Sequence, residues 1–263
     1  MSLFSSIDPK DSEESIISKL KGSRLVLPTI SIGNVPQLST DLLVYNFNLI
    51  PIGRLNSQFL YPFASPQDYV IDNVNSTTNN TTTALDLYFN ESLNLTIIQQ
   101  RSPILPGYHQ NFINYIVQLI NNIGFESLLI LDSNESALQT DVNYNRPLEL
   151  YSNDLNERFK SLRVTNINDL KKSKHSFTKF TNKLVESIQN NSTIDNFIVS
   201  SLVIFVYEGD NTIDAQVLTK EAIDLLEISQ PSSSSQYWKV PKSWSGVYGD
   251  RPLPKSLEEG LFG

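Results

Sequence analysis

Three stretches of this chain each carry an apolar run almost without interruption: RLVLPTI at residues 24–30, LLIL within FESLLILDSN from Phe125, and LVIFVY within SSLVIFVYEGDN from Ser200. A strand with one face in water alternates apolar and polar residues, whereas a strand covered on both faces has no reason to. These runs therefore read as central strands of a sheet, and such strands need helices on both sides.

Helical patterns stand between them. SIGNVPQLSTDLLVYN follows the first run at once: Gly33 permits the turn, Asn34 suits an N-cap, Pro36 is tolerated in the first turn, and Gln37 stands three residues after the cap as in a capping box. Leu38, Leu42, Leu43 and Tyr45 supply its apolar face. LIPIGRL reads as a further strand, and ALDLYF and LNLTIIQQR, flanking the turn-forming NES, read as a hairpin. After Pro106-Gly107, Phe112, Ile116, Leu119, Ile120 and Ile123 recur at helical spacing up to a Gly124 C-cap. Asn211 with Asp214 caps a last helix with an apolar face of Ile213, Val217, Leu218, Ala222 and Leu225.

The alternation predicts an α/β fold: a layered, mixed, mostly parallel sheet with helices on both faces, plus an irregular C-terminal tail. Its expected divisions are a mobile or weakly helical extension over 1–22, one α/β domain over 23–228, and the tail over 229–263. Within the domain, the Asn/Thr-rich loop 72–83 is too polar to bury a core, and about 135–196 reads as a charged insertion with some helix. The tail is expected to lie over the domain through Trp238, Trp244 and Tyr248.

Composition excludes much chemistry. With no cysteine there is no disulfide, thiolate metal site or cysteine nucleophile. The acidic N-terminus lacks the basic flank and apolar stretch of a signal peptide, so the cytosol or nucleus is the expected location, and the eight Asn-x-Ser/Thr sequons follow from asparagine-rich composition. The net charge of −8 opposes nucleic-acid binding, although residues 156–183 carry eight Lys or Arg against Glu157 and Asp169. Phe159, Phe177 and Phe180 lie among those charges and could stack on bases, but a solvated surface insertion is the plainer reading.

In such a sheet the functional crevice lies beyond the carboxyl ends of the strands, which directs attention to the loops SIGN, DSNES and EGDN. SIGN could hold an anion through backbone amides, and Glu208 with Asp210 could bind a divalent ion or act as an acid and base pair. Turn and capping roles explain the same residues. The glycines form neither a dinucleotide nor a P-loop pattern, there is no nucleophile elbow, and His109 and His175 stand apart. An enzyme of nucleoside-phosphorylase-like or hydrolase-like type using SIGN and EGDN is the alternative reading.

At LVLPTISIGNVPQLSTDLL, YEGDNTIDAQVL and WKVPKSW the chain resembles the proteasome assembly chaperone 2 family, the second subunit of a chaperone pair. The likeness covers roughly residues 25–46, 89–131 and 203–263. The specific pieces are SIGNVPQL (Gly33, Asn34, Pro36, Gln37), which departs from the family's usual form at Ile32, and EGDN (Glu208, Gly209, Asp210, Asn211) followed by Asp214-Ala215. The resemblance implies a non-enzymatic chaperone without cofactor or metal. Its implied partners are the first subunit of the pair, in a heterodimer, and the proteasome α-subunits, with no nucleic acid or membrane; the isolated chain could form a homodimer. It also implies that the C-terminal Leu261, Phe262 and Gly263 insert between α-subunits, with Phe262 standing where family members have tyrosine.

Overall fold

The computed structural model describes residues 3–68, 70, 81–139, 147–154, 164–167, 178–191, 193–229 and 238–244. The three apolar runs lie side by side as β2 (Arg24–Pro28), β8 (Ser127–Glu135) and β11 (Ile198–Val206), all parallel. On the other side of β2, β7 (Leu95–Gln100) is parallel to it as well. The sheet continues antiparallel from β7 through β6 (Leu85–Asn90) and β3 (Ile50–Leu55) to β1 (Phe4–Ser6). Beyond β11 it adds β9 (Leu148–Ser152), antiparallel, and β10 (Val164–Asn166). The order is β1-β3-β6-β7-β2-β8-β11-β9-β10, so the mixed sheet is parallel in its middle.

Helices cover both faces, as the apolar strands require. One face carries α2 (Val35–Asn46) and α5 (Thr212–Leu225), the other α1 (Glu13–Leu20), α3 (His109–Ile123) and α4 (Lys179–Asn191). The α3 spacing holds: Phe112, Ile116, Leu119, Ile120 and Ile123 are all buried, and Gly124 ends the helix in the left-handed conformation that glycine adopts freely. Among the described residues no helix is long and apolar enough to cross a membrane.

Several expectations need correction. Residues 3–22 are no loose extension: β1 pairs with β3, and Ile16 and Leu20 of α1 are buried in the main core. The cause is lateral, because β1 completes the sheet edge and α1 covers apolar surface beside α3. The described parts of 135–196 also belong to the sheet and its helix layer, with Leu184, Val185 and Ile188 of α4 buried. In the Asn/Thr-rich loop, β5 (Thr81–Thr83) pairs with β4 (Ala64–Pro66), while 71–80 lie outside the described residues.

The caps differ too. Asn34 precedes α2 with a left-handed backbone (φ 51°), so its side chain makes no cap, and neither amide atom of Gln37 has a protein partner. On α5 the apolar face is rotated from the expected one: Ala215, Leu218, Ala222 and Ile223 are buried, while Ile213 and Val217 face water at 66% and 37% exposure. The first part of the tail lies over the domain as expected, with Trp238 and Trp244 half-buried against the α2–α5 layer and the Asn46 amide pairing both ways with the Lys239 backbone at 2.9 Å. Tyr248 lies outside the described residues.

Tyr115 of α3 fixes the N-terminal segment. Its hydroxyl donates to the Leu3 carbonyl (2.6 Å) and accepts from the Asn56 amide (3.0 Å), and burial pushes the phenol from 10.0 up to about 12. An acid protonated longer in the folded chain than in the unfolded one stabilises the fold fully below its unfolded value, and that stability is lost as pH rises through the folded value. Urea unfolding of wild type should therefore lose stability between pH 10 and pH 12 more steeply than Tyr115→Phe, by about 1.4 kcal/mol per pH unit. Parallel curves for the two proteins would remove Tyr115 from this role.

Candidate functional site

The chain leaves β2 for one face through α2 and leaves β7 for the other through α3. Neighbouring strands that part in this way open a crevice at their carboxyl ends. Side chains of the protein itself occupy that end of the sheet, in three groups.

The first centres on Asp132, a fully buried carboxylate inside β8. Its Oδ1 accepts from the Thr29 hydroxyl (2.7 Å) and the Ser133 amide (2.9 Å). Its Oδ2 accepts from the Thr181 hydroxyl (2.7 Å) and from the Thr178 amide and hydroxyl (both 3.1 Å). A buried carboxylate is tolerated only when its lone pairs are filled, and here β2, β8 and the start of α4 supply the donors. Ser31 extends the network through the Ser133 hydroxyl at 2.7 Å.

The second group fills the β7–β2 crevice. Arg101, just past β7, holds Asp41 of α2 with both guanidinium ends at 2.5 and 2.9 Å, and Gln99 adds a bond to Asp41 at 2.8 Å. Thr40 donates to Gln99 at 2.6 Å. Tyr45 and Tyr88 lie in the same electrostatic neighbourhood, and burial first, then the charges of Asp41 and Asp86 respectively, raises both phenols well above their usual range. Asp86 is raised as well, chiefly by burial.

In the third group the two sequence loops meet. Gly33 has φ 66°, and a Cβ placed on it would lie 2.3 Å from Oδ1 of Asn211. Asn211 is 2% exposed; its amide nitrogen donates to the Tyr207 carbonyl (2.9 Å) and to Asp214 (3.0 Å). The side chain that precedes α5 thus stands against the turn that precedes α2, where an anion at SIGN would have to approach. Pro36 is buried in the first turn of α2. Glu208, Gly209 and Asp210 are exposed, and Asp210 accepts from the Thr212 amide (3.0 Å) and hydroxyl (2.7 Å), which is the turn role rather than an acid and base role. Among the described residues no three His, Cys, Asp or Glu are placed to hold a metal ion. A cavity of about 380 Å³ lies at the opposite end of the sheet, where Arg24, Ser127 and Ile198 begin their strands. Leu261, Phe262 and Gly263 lie outside the described residues.

The sequence reading brought Gly33 and Asn211 to the same strand ends but not into contact, took Asp132 as the start of the loop DSNES where the structure continues β8 to Glu135, and passed over Thr181, Asp41 and Arg101. The available signal for the burial of Asp132 was an acid directly after the run LLIL, which must either end the strand or find donors.

Fold and site together define a layered α/β domain whose strand-end crevice is filled by its own polar side chains. The PAC2 family model matches residues 25–191, and the chain belongs to the PAC2 family. Curated relatives called Proteasome assembly chaperone 2 match over most of both chains. The human protein is 26% identical over 258 residues (90% of this chain, 96% of that one), and the Saccharomyces cerevisiae protein 26% over 257 (86% and 95%). Among solved structures, Pyrococcus furiosus PbaA, an archaeal homolog of proteasome-assembly chaperone, superposes with a TM-score of 0.58 at 12% identity, covering 80% of this chain and 83% of its own. Pyrococcus furiosus PbaB, an archaeal proteasome activator, gives 0.56 at 12% identity, covering 87% and 91%. At that identity the two structures share the fold.

Gly33→Ala should cost about 2–5 kcal/mol, from a left-handed alanine and an overpacked contact. In an Asn211→Ala background the contact part disappears, so urea denaturation of the four proteins should give a coupling of about 1 kcal/mol or more; additive losses would mean that the two loops do not touch. Arg101→Met should cost about 3–5 kcal/mol by stranding a buried Asp41, and adding Asp41→Leu should recover much of it. An equal loss in the single and double variants would show that Arg101 matters for packing alone.

Proposed function

We propose that this chain is a non-enzymatic subunit of a proteasome assembly chaperone, which pairs with a first subunit and binds the proteasome α-ring while the core particle assembles. The observation that carries this is the similarity, over 90% and 86% of this chain, to human and yeast proteins called Proteasome assembly chaperone 2. The filled strand-end crevice supports it, because a catalyst working at SIGN and EGDN would need open space where Asn211 stands against Gly33. Its place of action is the cytosol and nucleus.

Leu261, Phe262 and Gly263 are the residues proposed to dock between α-subunits. Two apolar side chains suit a pocket, and the terminal carboxylate suits a lysine. Burying Leu and Phe contributes about 1.5–3 kcal/mol each, and a charged hydrogen bond about 1.5–3 more. Fixing three flexible residues costs about 1–2 kcal/mol apiece, before the entropy of association. A tail of this kind is a weak ligand alone and becomes effective when the domain and a partner hold it nearby.

Full-length protein and a form lacking residues 261–263, each used as bait in native extract, test the reading. Both forms should recover one partner chain, and the full-length form should recover several-fold more α-subunits. Equal α-subunit recovery would remove the tail from the mechanism, and recovery of neither partner nor α-subunits would end the chaperone reading.

A further inference from the structure

Among the described residues, nothing accounts for the outward turn of Ile213 and Val217. They are one helical turn apart on α5, at 66% and 37% exposure, and Tyr207 just before them is 75% exposed. Two more exposed apolar residues stand at the same end of the sheet: Ile30 just past β2 (37%) and Leu138 just past β8 (39%). Strands β2, β8 and β11 are adjacent; β8 and β11 end together, with Val206 level with Glu135, while β2 ends lower, with Pro28 level with Leu131. At about 4.8 Å between neighbouring strands, the loops carrying Leu138 and Tyr207 leave adjacent strand tips, and Ile30 stands lower on their flank. An apolar group gathered at one end of a domain, and not scattered, marks an interaction face.

The ground beneath this face is firm. Asp132 ties the ends of β2 and β8 to α4, and Asn211 seats the start of α5 against Gly33. A face held by buried polar bonds has little backbone left to order at the moment of binding.

Charge decides between occupants. Glu135, Glu208 and Asp210 are exposed around the apolar residues, and Asp214 lies beside them. Two copies of this chain meeting at this end would set these carboxylates against one another, and like charges at an interface are a cost that suppresses wrong partners. A chain with an apolar centre and a rim of lysine and arginine would meet both features.

We propose that the carboxyl end of the sheet, centred on Tyr207, Ile213 and Val217 and rimmed by Glu135, Glu208 and Asp210, is the face that binds the other subunit of the chaperone pair. The partner supplies a complementary apolar patch with a basic rim, and the acidic rim selects it over a second copy of this chain. This rests on the chaperone reading and adds the surface and the chemistry of its partner.

The test is co-expression of the full chain with the first chaperone subunit of the same organism, with affinity measured on the purified proteins. Tyr207→Ala and Ile213→Lys should each raise the Kd at least about tenfold, as for central interface residues, while thermal unfolding of the isolated chain stays near wild type. The paired variant Glu208→Lys/Asp210→Lys should slow association, and raising salt from about 0.05 to about 0.5 M should slow the wild type towards the same rate. Wild-type affinity in all three variants would overturn the surface while leaving the chaperone pair standing. No pairing by the wild-type chain would overturn the chaperone reading together with this inference. Light scattering of the isolated chain covers the remaining occupant: a stable homodimer that Ile213→Lys dissociates would overturn the choice of a basic partner.

Discussion

Asp132 is the fixed point of this molecule. A carboxylate with no exposure, set in an inner strand of the sheet's parallel part, would cost several kcal/mol if left without donors. Here five donors fill it, and they come from three separate elements: Thr29 after β2, Ser133 in β8, and Thr178 and Thr181 at the start of α4. Apart from the local Ser133 bond, none of these bonds forms until the elements are in place, so the carboxylate specifies how the α4 end of the helix layer seats on the sheet. The two hydrophobic layers supply the bulk of the driving force, but apolar contact alone does not choose one seating over its neighbours.

The same logic runs along the carboxyl ends of the other strands. Asp41 and Arg101 bond α2 to the end of β7, and Asn211 packs the start of α5 against the turn before α2 without a bond between them. Each lies where an α/β enzyme of this topology would keep its ligand. Filling the crevice with internal bonds makes that end of the sheet a rigid surface. A chaperone subunit that recognises other proteins requires such a surface more than a cleft, and the similarity to curated assembly chaperones agrees with that use.

Much of this was legible in the residues because it is local. The apolar runs of β2, β8 and β11, the NES turn between β6 and β7, and the spacing of Phe112 to Ile123 each depend on neighbours a few positions away. What escaped the reading depends on distant partners. Residues 3–22 look polar and weakly periodic until β3 offers an edge to Phe4 and α3 offers apolar surface to Ile16 and Leu20. Ile213 and Val217 look like the core face of α5, because helical spacing shows that a stripe exists and not which stripe turns inward; close packing against α2, with Ser39 and Thr219 bonded at 2.9 Å, turns the face with Ala215 and Ala222 inward.

The sequence by itself determined the class of fold, the order of its main strands and helices, and the family, since apolar period, turn residues and short motifs are properties of contiguous residues. It also determined the absence of cysteine chemistry. Only the tertiary structure decided that SIGN and EGDN touch, that Asp132 is buried with its lone pairs filled, that Asp41 is buried against Arg101, and that the α5 stripe points outward. The physical reason is common to all four: burial and hydrogen bonding are settled between residues far apart in the chain, Thr29 with Asp132 or Gly33 with Asn211, and no local pattern encodes which distant group will arrive.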